Sequence, residues 1–179
     1  TWVGQHKGLY NAYEQIANSD EFAQLDQAQQ KVISNALRDF QLSGIALNDE
    51  DQKTYGKIVS RLSELGSKFS NNVLDATQAF STLITNEAEL SGLPESAIAA
   101  AKALAEAKEQ TGWLFTLDFP SYLPVLTYSD NRELREKMYH AFVTRASELG
   151  PNAGEFDNSD VMAEILKLRH ELSVLLGFS

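Results

Sequence analysis

Apolar positions recur every three or four residues over most of the chain, the mark of helices that bury one face. Trp2, Leu9, Tyr13 and Ile16 stand at near-multiples of 3.6 and predict a first helix to about Ala17. Asn18-Ser19-Asp20 then offers a break and a cap. Asp26 precedes Gln29 by three, a capping-box spacing ahead of Val32, Ile33, Ala36, Leu37 and Phe40, and Ser43-Gly44 stops that second helix. The acidic run Asn48-Asp49-Glu50-Asp51 favours a helix start, because carboxylates oppose the positive end of the macrodipole. Tyr55, Ile58, Leu62, Leu65, Phe69, Val73 and Ala76 then form a narrow seam, predicting a helix from about Asp51 to Ala79. Such a helix is on the order of 43 Å long at 1.5 Å per residue. It needs a partner, and the preceding helix, joined by a short loop, is the expected antiparallel mate. Gly66 in its middle costs about 1 kcal/mol relative to Ala, which predicts close packing of another helix there.

The period then changes. Phe80 to Thr85 is β-prone, and Pro94 suits the first turn of an Ala-rich helix running to about Gln110. Trp113, Phe115, Leu117 and Phe119 alternate with Leu114, Thr116 and Asp118, the strongest strand signal in the chain, with Pro120 as its end. Val125–Tyr128 reads as a further short strand, pushed to an edge by Pro124. Asp130 and Glu133 make a second capping-box spacing, before a stripe of Leu134, Met138, Ala141 and Phe142, and Glu133 and Lys137 form an i,i+4 pair. After the loop Gly150–Gly154, Asn158-Ser159-Asp160 caps a last helix with Val161, Ile165, Leu168, Leu172 and Leu175 on its face. The fold expected is mostly α: an antiparallel helical bundle of long amphipathic helices with a small two- or three-stranded β element around residues 80–128. Within one domain, 1–179, helical pairs fill 1–79, a β-containing insert 80–128, and closing helices 130–177.

Composition narrows what such a bundle could do. With 179 residues, 43% of them hydrophobic, the chain can build a core without staples. The formal charge is −10 and is spread evenly: residues 1–90 and 91–179 each carry −5. Neither half has the clustered Lys and Arg that a phosphate backbone requires, so no nucleic-acid partner is expected. No apolar run approaches a membrane span, and no membrane partner is expected. The lack of cysteine removes disulfides, thiolate metal sites and a thiol nucleophile, and is compatible with the cytoplasm.

Candidate chemistry is sparse. His170-Glu171 begins like H-E-x-x-H, but position 174 is Val, so the second imidazole of a zinc pair is missing. His6 and His140 have no ligand-type neighbour at a supporting spacing. There is no G-x-S-x-G elbow, no Walker A loop and no G-x-G-x-x-G. The consecutive carboxylates at 49–51 diverge around a helix. No catalytic, cofactor-binding or metal-ligating residue is assigned. The aromatic stretch Trp113–Tyr128 reads as core, with a peptide or ligand groove as its alternative.

The ends suggest a larger protein. Thr1-Trp2-Val3 runs straight into a helical pattern without an initiator Met, and the chain stops just past Gly177 at Phe178-Ser179. A fragment of this kind exposes faces packed elsewhere in its parent, which predicts self-association through Trp2, Tyr10 and Phe178.

A resemblance supplies what the motifs do not. Asn35–Phe40 with Leu42-Ser43-Gly44-Ile45 resembles the amino-terminal helical region of the thimet oligopeptidase (M3) family of zinc metallopeptidases. Arg61–Leu65, Phe69–Thr77, Ser121–Val125, Asp130-Asn131, Leu134-Arg135, Met138-Tyr139 and Ile165–Leu172 with Leu175–Phe178 extend the likeness, in order, over essentially the whole chain. The resemblance implies a parent several-fold longer, mostly helical and clam-like, with a deep channel that admits short peptides and excludes folded proteins. Zinc in that parent is bound by H-E-x-x-H and a further Glu in the carboxy-terminal catalytic half, and bacterial relatives act in the cytoplasm. None of those residues lies here, so the resemblance implies no zinc in this fragment and no catalytic role for any of its positions. The resulting expectation is a non-catalytic wall of a peptidase channel, partnered by the missing catalytic half. A stand-alone helical binding or adaptor domain is the alternative.

Overall fold

The computed structural model describes residues 3–178. Among them are seven α-helices and one two-stranded antiparallel sheet, so the protein is mostly α, as the sequence pattern predicts. The helices are α1 (Lys7–Ala17), α2 (Gln27–Leu42), α3 (Asp49–Ala79), α4 (Glu95–Ala107), α5 (Phe119–Tyr128), α6 (Arg132–Val143) and α7 (Ser159–Leu175). The strands are β1 (Ser81–Ile84) and β2 (Trp113–Thr116), paired from Ser81 with Thr116 to Ile84 with Trp113. Among the described residues no helix is long and apolar enough to cross a membrane.

The chain gathers into two compact units. One holds the residues up to Glu64 together with those from Glu164 onward; the other spans Leu65–Ala163. In the first, the Asp26 cap forms with both of its reciprocal bonds: the Gln29 N–H donates to Asp26 at 2.8 Å and the Asp26 N–H donates to the Gln29 side chain at 3.0 Å. The closest partner of α2 is α1 rather than the long helix. Tyr10 and Tyr13 both set their rings against buried Phe40, each with centroids 5.9 Å away. This aromatic trio explains the pairing, since two large rings on α1 meet one on α2. Helix α3 is tied to α2 near their connecting loop, where the Tyr55 hydroxyl donates to the Leu42 carbonyl at 3.2 Å. Arg61 of α3 makes a two-pronged bond to Glu164 of α7, at 2.7 and 2.9 Å, and reaches Glu64 at 3.1 Å. The pair is exposed to solvent, so it adds little to stability.

The second unit has the larger core. Phe80, Ile84, Leu90, Leu93, Phe115, Leu117, Val125, Leu134 and Met138 pack together, with α4, α5 and α6 around the sheet. Asn158, 1% exposed, stands at the start of α7 within this apolar setting. Its carbonyl accepts the Met162 N–H, its own N–H donates to Ala146, its side-chain oxygen accepts from Asn72 at 2.8 Å, and its amide donates to the Phe69 carbonyl at 3.2 Å. Two glycines allow backbone to pass against backbone. A Cβ on Gly92 (φ +84°) would lie 2.3 Å from the Tyr128 carbonyl, and one on Gly112 (φ +132°) the same distance from that of Ile84.

Several local expectations are corrected. Residues 125–128 are the last turns of α5, not a strand: Tyr122, Val125 and Leu126 fall on one helical face and pack into the core. Pro120 sits in the first turn of that helix, where its missing N–H costs nothing, so it opens a helix rather than only closing a strand. Helix α6 is capped by Asn131, which accepts the Leu134 N–H at 3.1 Å; Asp130 instead accepts from the Ser91 hydroxyl at 2.7 Å. Lys137 donates to buried Thr82 at 2.8 Å in place of an ion pair with Glu133. Gly66 meets no packed helix, because a Cβ there finds nothing within 4 Å. Of the residues expected to drive self-association, Tyr10 is half-buried against Phe40, Phe178 is exposed, and Trp2 lies outside the described residues.

Three measurements check this account. Replacing Asn158 by Ala removes the partner of Asn72 and of the Phe69 carbonyl, and urea titration should show a loss of about 2–3 kcal/mol. Gly66→Ala fills open space in an exposed helix and should raise stability by about 0.5–1 kcal/mol; a loss would mean that glycine is needed there. Asp157 accepts the N–H and hydroxyl of Ser159 at 2.8 and 2.7 Å, and these bonds hold its carboxyl below the usual carboxylate range. A depressed folded value means stability that is present above the ordinary Asp range and is lost as pH falls through the lowered one. Asp157→Asn should therefore flatten the acid limb of the stability–pH curve, and an unchanged limb would remove this cap from the account.

Candidate functional site

The three histidines sit on separate elements. His6 caps α1 by accepting the Leu9 N–H at 3.1 Å, His140 lies in the last turn of α6, and His170 is exposed on α7. Among the described residues no group of three or more His, Cys, Asp or Glu could hold a metal ion. The donor set of the described residues therefore does not fit zinc.

The aromatic stretch from Trp113 to Tyr128 divides in two. Its first half is core: Phe115 and Leu117 are buried, and so is Leu114 on the opposite face of β2, so both faces of that strand are covered. The Trp113 indole Nε1 is buried without a hydrogen-bond partner. In the second half, Tyr122 turns inward and stacks on Phe142 with centroids 4.1 Å apart, while Phe119, Leu123 and Tyr128 face outward. The stretch thus makes one buried strand and one helix with an exposed apolar side. The alternation of aromatics marks the buried half, but nothing in that pattern separates it from the exposed half.

Beside this helix lies a groove of about 270 Å³. Ala97, Ala101 and Leu104 of α4 form one wall, Leu114 of β2 another, and Pro120 and Ser121 at the start of α5 the end. Small side chains on α4 leave this space between helix and sheet. The Ser121 hydroxyl accepts the Thr116 N–H at 3.0 Å, and Asp118 accepts the Thr116 hydroxyl at 3.0 Å. The polar atoms at the groove's end are thus engaged with one another, and the walls are aliphatic. Such a surface can pack apolar groups and carries no arrangement for bond-breaking chemistry.

The other polar feature of this unit is Arg145. Its guanidinium lies 3.7 Å from the centre of the Phe142 ring, donates to the Phe142 carbonyl at 2.9 Å and donates to the Thr77 hydroxyl at 3.0 Å. Burial lowers its pKa from the usual arginine value, and the ring and the carbonyl stand where a carboxylate would otherwise be expected. The arrangement ties the end of α6 to the end of α3.

With no metal-holding cluster among the described residues, identity rests on sequence similarity. The sequence model of the neurolysin/thimet oligopeptidase N-terminal domain matches residues 1–52, and that of peptidase family M3 matches residues 125–179. Oligopeptidase A of Salmonella typhimurium is 66% identical over 178 residues, covering 99% of this chain and 26% of the relative. Its Escherichia coli counterpart is 65% identical with the same coverage. A probable cytosolic oligopeptidase A of Arabidopsis thaliana is 43% identical, covering 98% of this chain and 25% of the relative. The chain spans about a quarter of the length of the curated relatives it matches. It belongs to peptidase family M3, that of the thimet oligopeptidases, and corresponds to about a quarter of the oligopeptidases A, its residues 1–52 matching the family's N-terminal domain.

Proposed function

We propose that this chain forms part of the non-catalytic helical region of a zinc-dependent oligopeptidase that hydrolyses short peptides, and that it helps wall the substrate channel. The observation that carries the reading is the uninterrupted match, at 65–66% identity across the chain, to oligopeptidases A roughly four times as long. The character of the fold supports it. Amphipathic helices closed over an apolar core, with polar groups engaged in capping and cross-links, make a surface that shapes access and leaves chemistry to other residues. In this reading zinc is held by residues of the longer protein, in a catalytic half that is the chain's principal partner, and the enzyme works in the cytoplasm. This chain's own residues would exclude folded proteins and leave room for an extended peptide.

The test uses two proteins, the 179-residue chain and the product of the complete reading frame. The longer protein should bind zinc stoichiometrically and cleave short peptides, and lose the activity to a chelator. The 179-residue chain should do neither. Tight stoichiometric zinc or turnover by the short chain would overturn the non-catalytic assignment. A reading frame ending at Ser179 would overturn the peptidase reading and leave a stand-alone binding domain.

A further inference from the structure

We infer that the free edge of β1 takes up an extended peptide as an added strand, so that this chain grips substrate by its main chain; the inference rests on the reading just proposed. The Thr116 N–H donates to the Ser121 hydroxyl at 3.0 Å, although Thr116 stands opposite Ser81 in the sheet register. In an antiparallel pair, opposed residues alternate between exchanging two hydrogen bonds and exchanging none. Thr116 with Ser81 and Leu114 with Leu83 are therefore the pairs that exchange none, while Thr82 with Phe115 and Ile84 with Trp113 exchange two. The N–H and C=O of Ser81 and of Leu83 then point to the outer side of β1. Among the described residues nothing pairs with them there, since the sheet has two strands and neither residue has another backbone partner. Both residues are exposed.

The two strands are treated differently. β2 has α4 packed against it, and its Thr116 N–H is taken by Ser121. A sheet edge left permanently in water is usually guarded by a charge, a proline or a bulge, yet Phe80–Thr85 contains no charged residue and no proline. Donors and acceptors set two residues apart along an extended backbone are complementary to another extended backbone, the basis of strand addition. The side chains beside them, a small hydroxyl at Ser81 and an aliphatic group at Leu83, impose little choice of sequence. Recognition thus falls on the peptide bond, the one feature shared by short peptides of differing sequence, which are the substrate class of the proposed function. A second copy of β1 is the competing occupant, and the −10 charge that each copy carries opposes it. A strand of four residues offers few bonds, so the hold is weak, with a dissociation constant of about 1 mM.

The probe is an end-blocked hexapeptide of alternating Thr and Val, added to the 179-residue chain while amide hydrogen exchange is followed residue by residue by NMR. At saturation the Leu83 amide should exchange at least roughly tenfold more slowly, with the amides of α2 unchanged. The same peptide N-methylated at every residue keeps its side chains and loses its donors, and should leave Leu83 exchange as it was. Leu83→Pro removes the outward N–H and spares the ladder bonds of Thr82 and Ile84, because an edge strand accepts proline where the N–H faces outward. In the product of the complete reading frame, that variant should raise KM for a cleaved short peptide at least roughly threefold. Leu83 exchange unchanged up to about 5 mM peptide, equal slowing by the N-methylated peptide, or an unchanged KM would each overturn strand addition. Slowing that appears without peptide and grows with protein concentration would assign the edge to a second copy, and overturn it likewise. Peptide cleavage by the longer protein beside an unprotected Leu83 would remove this inference alone. Protection of Leu83 beside a longer protein that cleaves nothing would remove the proposed function and leave the peptide-binding edge standing.

Discussion

One buried amide sets the geometry of the second unit. Asn158 is almost completely removed from water, and an unpartnered polar side chain there would cost several kcal/mol. It is tolerated because both ends of the amide are engaged, the oxygen by Asn72 and the nitrogen by the Phe69 carbonyl. Its backbone holds Ala146 on one side and Met162 on the other. The side chain thereby holds the start of α7 against α3, and the backbone N–H of the same residue closes the 144–158 loop. Apolar packing is tolerant of small slides, whereas an amide with two directed bonds is not. The start of α7 is thus held by directed hydrogen bonds.

The same logic recurs at smaller scale. Lys137 reaches across from α6 to Thr82 on β1, and Arg145 reaches from beyond the end of α6 to Thr77 on α3. Both direct a charged head to a hydroxyl of another element. In Arg145 the head is flanked by the Phe142 ring, which itself stacks on Tyr122 of α5. Three elements are thereby joined through one aromatic ring. For a region whose proposed task is to hold a channel wall in place, directional fastening of helices is the relevant property.

How much of this was legible in the sequence depended on the range of the interaction. The Asp26 cap, the ends of α2, the Ala-rich α4 and the inner face of α7 all depend on neighbours within four residues, and all could be read. Helix α5 could not, because a segment apolar on both faces offers no contrast from which to read a period, and its prolines mimic strand punctuation. The choice of Asn131 over Asp130 as a cap turned on Ser91, 39 residues away in sequence. Lys137 took Thr82, 55 residues away, over a carboxylate one turn distant. In the aromatic stretch, which half is exposed depends on where β2 ends and the helix begins. The chemistry proposed for a longer protein leaves no trace in the spacing of these residues, and only the resemblance suggests it.

The close approach at Gly92 carries one further consequence. The Tyr128 carbonyl rests where any side chain at position 92 would begin, and the adjacent Ser91 and Asp130 are joined by both a backbone and a side-chain bond. The carboxyl end of α5 is therefore registered from behind, by a turn that contributes nothing to the helix's outer surface. A methyl group added at that turn would tilt the surface without altering one atom of its chemistry. Sequence drift in this protein is thus constrained at a position that inspection of the exposed side chains alone would pass over as neutral.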